Sequence, residues 1–190
     1  MTELDLEVRW YAGTRSRHRS PAPPIQVHMA APHTILLRQS IVTNFEAPFL
    51  YLLFGDDRAF LLDTGATADA SGFPLRAAVD TLIDGWLRAH PRDGYELIVA
   101  HSHAHGDHVA GDGQFTGRPH TRVVGHPAED VASFFGIGNW PRGRARVDLG
   151  GRVLEVIPTP GHHPSAIAIY DEATGMLLTV AFDYGARQEL

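Results

Sequence analysis

Apolar and polar residues alternate along the first ten positions, with Leu4, Leu6, Val8 and Trp10 on one side and Glu3, Asp5, Glu7 and Arg9 on the other. That period of two predicts a half-buried strand. The stretch GTRSRHRSPAPP (13–24) is polar, Pro-rich and aperiodic, which marks a connection. Strand-like runs follow at 34–42, 49–54 and 58–62, the last two joined through the turn GDDR. The period then changes. Within FPLRAAVDTLIDGWLRAH, residues Leu75, Ala78, Val79, Leu82, Ile83, Trp86 and Leu87 recur at helical spacing, and Pro74 suits a first helical position. YELIVA reads as a short, continuously apolar strand, with a helical turn from Asp107. TRVVG is another strand, and HPAEDVASFF opens like a helix and carries Val131, Phe134 and Phe135. Further strands are expected near 145–149, 152–157, 165–170 and 176–182, with DEATG as the last hairpin turn. Strands and helices mix along a chain of 190 residues, so one layered α/β or α+β domain spanning 1–190 is expected.

Composition removes several chemistries. All sixteen basic residues are Arg, so Schiff-base and lysine-nucleophile mechanisms are excluded. The absence of Cys excludes disulfides, thiolate metal sites and cysteine nucleophiles. A net charge of −6 argues against a nucleic-acid partner. No stretch reaches the length of a membrane span, and MTELDLEVRW lacks the apolar centre of a signal peptide. No membrane partner and a cytoplasmic location are therefore expected.

One stretch concentrates chemistry. HSHAHGDH (101–108) places four of the twelve histidines and an Asp within eight residues, directly after the apolar strand. On an extended segment, residues two apart project to one side, so His103 and His105 can present imidazoles to one ion. Asp107 and His108 fall where the chain turns helical and can face the same cavity from another direction. Neutral imidazoles and a carboxylate are zinc-type donors. The bland alternative is a His-rich surface loop, which the density of donors behind a buried strand disfavours.

The pattern His-x-His-x-Asp-His at 103–108 resembles the signature of the metallo-β-lactamase superfamily. FLLDTG (60–65) is similar to that family's strand-ending Leu-Asp-Thr-Gly. LGGRVLEVIPTPGHHPSAIAIYD (149–171) is similar to its Gly-Gly turn, strand and Pro-Gly-His segment. The motif-bearing part covers about 34–183. The resemblance implies an αββα four-layer sandwich with two metal positions, one held by His103, His105 and His162 and the other using Asp107 and His108. It also implies that Asp63 orients the His loop through hydrogen bonds rather than binding metal, although an ordinary turn with Gly65 would suit a strand-end Asp too. His163 reads as a rim residue. In SFFGIGNWPRGRAR (133–146), a pocket wall competes with core positions for Phe134 and Phe135 and a solvated face for Arg142, Arg144 and Arg146.

The chain departs from the family's pattern towards its end. Ala181 falls where relatives carry a bridging Asp, and Asp183, two residues later, becomes a candidate ligand only if the strand is bulged. The family's later elements, with a final metal-binding His, have no counterpart, so the C-terminal part of the sandwich is expected to be missing and the second metal weak. Exposed sheet edges would then favour a homo-oligomer. The resemblance implies hydrolysis of an ester, thioester, lactone or related bond in a small molecule by a metal-activated water, with zinc (one or two ions) as the expected metal and Asp107 shuttling the proton. Two other readings stay open: a mononuclear iron oxygenase of the same fold, and a metal-binding remnant with little activity.

Overall fold

The computed structural model describes residues 2–10 and 22–179. Six strands form one sheet in chain order. β1 (Ile25–Ala31), β2 (Thr34–Gln39), β3 (Phe49–Phe54) and β4 (Arg58–Leu62) make an antiparallel meander, to which β5 (Glu96–Ala100) and β6 (Thr121–Val123) add in parallel. Parallel neighbours require a crossover. α1 (Leu75–Ala89) supplies the first. α2 (Gly106–Val109) and a short 3-10 helix (Ala110–Phe115) supply the second. After α3 (Ala128–Phe135), the strands β7 (Ala145–Asp148), β8 (Val153–Pro158), β9 (Ile167–Asp171) and β10 (Leu177–Leu178) form an antiparallel four-stranded sheet.

The six-stranded sheet is buried on both faces, which is why its central strands read as unbroken apolar runs. Leu50, Leu52, Leu61, Leu97 and Val99 point to one face, against Leu75, Val79 and Ile83 of α1. Leu53, Phe60, Leu62 and Ile98 point to the other, against Leu154, Val156, Ile167 and Ile169 of the smaller sheet, with Val131 of α3 beside them. Helix, sheet and sheet thus stack as layers of an αββα sandwich around two cores. No helix among the described residues is long and apolar enough to cross a membrane.

Several expectations need correction. Residues 2–10 form no strand. Their backbone is held at separate points: the Asp5 amide donates to the Ala30 carbonyl at 2.8 Å, His28 Nε2 lies 2.7 Å from the Asp5 carbonyl, and Gln26 Nε2 donates to the Arg9 carbonyl at 3.1 Å. Leu6 is exposed despite its place in the alternation. β1 was not among the expected strands, although Ile25, Val27 and Met29 alternate with Gln26 and His28; Val27 and Met29, on the apolar side of that alternation, are exposed. Pro74 is the N-cap of α1 rather than its first residue. β2 stops at Gln39, where the side chain bonds Thr43 and Thr67 and the chain turns. The last strand is described only as Leu177–Leu178, and most of the connection 13–24 lies outside the described residues.

Candidate metal centre

Parallel pairing sets Leu62 beside Ala100, so β4 and β5 end at one level and the segments after them emerge side by side. Asp63 leaves the sheet at φ +69°, in the left-handed region that residues other than Gly rarely adopt. The turn sends its carboxylate into the His loop. Oδ1 accepts the Ser102 amide at 2.7 Å; Oδ2 accepts the Ser102 hydroxyl at 2.9 Å and His108 Nδ1–H at 2.8 Å. The Thr64 amide donates to the His108 carbonyl at 2.8 Å. Gly111 permits this close packing, since a Cβ there would lie 2.4 Å from the Thr64 carbonyl oxygen. From the other sheet, the Ile167 amide donates to the Ser102 carbonyl at 2.9 Å, which brings the turn between β8 and β9 over the same loop.

That turn carries His162. Its Nε2 lies 3.1 Å from His105 Nδ1, which in turn lies 3.0 Å from His103 Nε2. The donor atoms of His103, His105 and His162 all fall within 4.8 Å of one another, as do those of His103, Asp107 and His108, and the two groups share His103. A neutral imidazole has one N–H and one lone pair, so three converging ring nitrogens cannot satisfy one another fully. A cation accepts all three. Zinc bound at about 2.0–2.1 Å needs donors roughly 3.3 Å apart, close to the spacing present. The donor set fits a metal.

The surroundings prepare the nitrogens. The Ser102 hydroxyl gives its proton to Asp63, so it can only accept from His103 Nδ1 (3.3 Å), while the His108 Nδ1–H goes to Asp63. Both rings then keep Nε2 free for a metal. Burial, reinforced by the neighbouring His108, His105 and His162, pushes the His103 pKa down to about 4, which leaves it neutral at pH 7. Burial and the same neighbours His105 and His162 also lower His163. His108 moves the other way: burial opposes its charge, but the hydrogen bond and charge of Asp63, with Asp107, prevail and raise it. Asp107 Oδ2 lies 3.2 Å from His108 Nε2, and its side chain is one-third exposed (33%).

His163 packs its ring 5.0 Å from that of His105, with Nδ1 2.9 Å from the Ser165 hydroxyl. Asp183 and Ala181 lie outside the described residues. In the segment 133–146, Phe134 and Phe135 pack against the inter-sheet core. Arg142, Arg144 and Arg146 are exposed, with Arg144 paired to Glu155 and Arg146 to Glu172. Two groups that hold the centre went unread in the sequence, Ser102 and Thr64. Their position inside the motifs at 101–108 and 60–65 was the available signal.

Comparison with known proteins agrees with this architecture. A hydroxyacylglutathione hydrolase from Anaeromyxobacter dehalogenans (strain 2CP-C) is 35% identical over 139 residues, 69% of this chain and 44% of that protein. The chain spans less than half the length of the curated relatives it matches. Among solved structures, a metallo-beta-lactamase from Cronobacter sakazakii (HARLDQ motif mutant) aligns at 25% identity with a TM-score of 0.51, covering 81% of this chain and 62% of that one. A flavo di-iron protein variant from Thermotoga maritima aligns at 17% identity and TM-score 0.50, covering 82% and 41%. Residues 44–179, which carry Asp63 and every histidine of the centre, match the family model of the metallo-beta-lactamase superfamily, and the chain belongs to that superfamily.

Proposed function

We propose that this chain is a metal-dependent hydrolase of small-molecule ester-type bonds, with a thioester as the leading substrate class. The observation that carries the reading is the convergence of His103, His105 and His162 on one point, with Asp107 and His108 beside it. When bound there, a metal would supply Lewis acidity, acidifying water and polarising a scissile carbonyl. The remaining work falls to the chain. Asp63 and Ser102 hold His103 and His108 in the tautomer that offers Nε2. Asp107, a half-buried carboxylate at the edge of the donor group, is placed to take a proton from a reacting water and return it to the leaving group. The 35%-identical hydroxyacylglutathione hydrolase supports the choice of a thioester over a β-lactam.

The test is hydrolysis of a hydroxyacylglutathione thioester by the metal-loaded chain, beside a panel of simple esters and lactones. Activity lost on chelation, restored by zinc and abolished in His103→Ala is the expected result. Equal background rates in the two proteins would leave a metal-binding chain without this activity. Nitrogen and carboxylate donors suit iron as well as zinc. Elemental analysis of protein purified without added metal separates the two, and iron would redirect the reading to oxygen chemistry.

A further inference from the structure

Three donors from other parts of the fold meet beside this centre without sharing a residue with it. His101 stands at the end of β5, Asp112 in the 3-10 helix and His126 between β6 and α3. His101 Nε2 lies 2.8 Å from Asp112 Oδ1, and His126 Nε2 lies 2.8 Å from Asp112 Oδ2. The two rings stand edge to face with centroids 5.3 Å apart, and all three donor atoms fall within 4.8 Å of one another. The Thr64 hydroxyl donates to Asp112 Oδ1 at 2.7 Å and so fixes the carboxylate from behind.

The geometry points to a separate metal site, formed by His101, Asp112 and His126, that takes a zinc-class divalent cation. Two imidazole nitrogens and one carboxylate select borderline ions over magnesium and calcium, which prefer all-oxygen shells. His101 is 6% exposed and cannot turn away to water, so one nitrogen is preset. His126 is exposed and closes the group from the solvent side, leaving an approach for the ion and a position for water. Both imidazoles aim Nε2 at opposite oxygens of one carboxylate, each Nε2–H donating to it; a cation entering the group would displace those protons, the rings passing to their Nδ1–H tautomers. Thr64 supports Asp112 in the way oxygen ligands are commonly steadied by a neighbouring hydrogen bond. An ion here would clamp the end of β5 to the 3-10 helix and to the loop before α3, behind the turn that carries Asp107 and His108. The competing arrangement is a purely hydrogen-bonded clamp of the same three side chains.

Zinc stoichiometry distinguishes the two. In the full chain carrying His105→Ala, His162→Ala and Asp107→Ala, neither donor group of the main centre retains three ligands. Equilibrium dialysis at micromolar free zinc should still give one ion per chain, and adding His126→Ala should remove it. Magnesium or calcium in excess should not displace it. In the otherwise unaltered chain, His126→Ala alone changes only an exposed position and should lower bound zinc by one ion per chain, which keeps the test decisive if the multiple variant does not fold. Unchanged zinc content on adding His126→Ala, in either background, would overturn the site and leave the hydrogen-bonded clamp.

Discussion

Asp63 and His103 show how single side chains govern the centre. Both oxygens of the Asp63 carboxylate are committed to the loop, to Ser102 and to His108. Asp63→Ala leaves those donors without an acceptor and lets the His108 ring choose its tautomer. Zinc affinity, measured by competition with a chromogenic chelator, should fall by roughly 10–100-fold, with far-UV circular dichroism unchanged. His103 makes a prediction in pH. Its pKa falls from 6.5 to about 4 on folding, so the unfolded chain binds a proton in that interval and the native chain does not. The metal-free protein therefore gains stability from this group above pH 6.5 and loses it as the pH falls towards 4. His108 is raised and contributes with the opposite sign: its stabilisation is present below pH 6.5 and fades as the pH rises through its native value. Replacing His103 by Gln should flatten the loss of stability between pH 6.5 and 4 in urea titrations. Matching slopes in the two proteins would sink the assignment.

At the level of elements, two glycines separate necessity from accident. Gly111 lets α2 and the 3-10 helix approach the end of β4, and Gly111→Ala would force a Cβ to 2.4 Å from the Thr64 carbonyl oxygen. A shift of backbone is the only relief. We expect a cost of about 1–3 kcal/mol in thermal or urea unfolding, together with weaker metal binding, because Asp107 and His108 ride on the displaced turn. Gly85 lies inside α1, where an added Cβ would meet only the mobile end of Arg88 at 3.6 Å. Gly85→Ala should stabilise the chain by about 0.5–1 kcal/mol, with no effect on metal affinity.

The two sheets are fastened at the end away from the candidate metal centre by one buried arginine. Arg152 is 5% exposed and precedes β8. Its guanidinium donates to the Phe54 carbonyl at 3.1 Å, to the Thr34 hydroxyl at 2.9 Å and to Asp171 Oδ2 at 2.7 Å, and it also reaches the His33 carbonyl. These partners span both sheets. Arg152→Met leaves the buried Asp171 carboxylate without its cation, held only by the Thr174 hydroxyl and the Ala173 amide, and should destabilise the protein by about 3 kcal/mol. Burial alone would raise the Asp171 pKa, but the Arg152 bond lowers it below 3.8. The pair's contribution is accordingly present above pH 3.8 and lost as the pH falls through the native value, so the difference between Arg152→Met and the parent should shrink in strong acid.

How far the sequence carries depends on how local each decision is. β3 and β4 match their expected bounds because a tight turn and unbroken apolar runs are local facts. α1 is legible because one face alone must be buried. The stretch 101–108 and the turn at His162 were legible as chemistry, since density of donors and a Pro-Gly turn are written along the chain. β1 went unread although Ile25, Val27 and Met29 alternate with Gln26 and His28; the alternation is short, and Val27 and Met29 on its apolar side are exposed rather than buried. Residues 2–10 carried the alternation without the strand: their bonds to β1 are one backbone bond, Asp5 N–H to the Ala30 carbonyl, and two to side chains, Gln26 and His28, which do not continue as a ladder. The meeting of His101, Asp112 and His126 was invisible for a related reason: separations of eleven and fourteen residues have no period, and only the packing of the 3-10 helix against the end of β4 joins them. The candidate donors at 101–108 and His162, and most of the elements that carry them, are written along the sequence. Which donors share a point was decided by where two sheets end, and that is set by long-range packing rather than by neighbours along the chain.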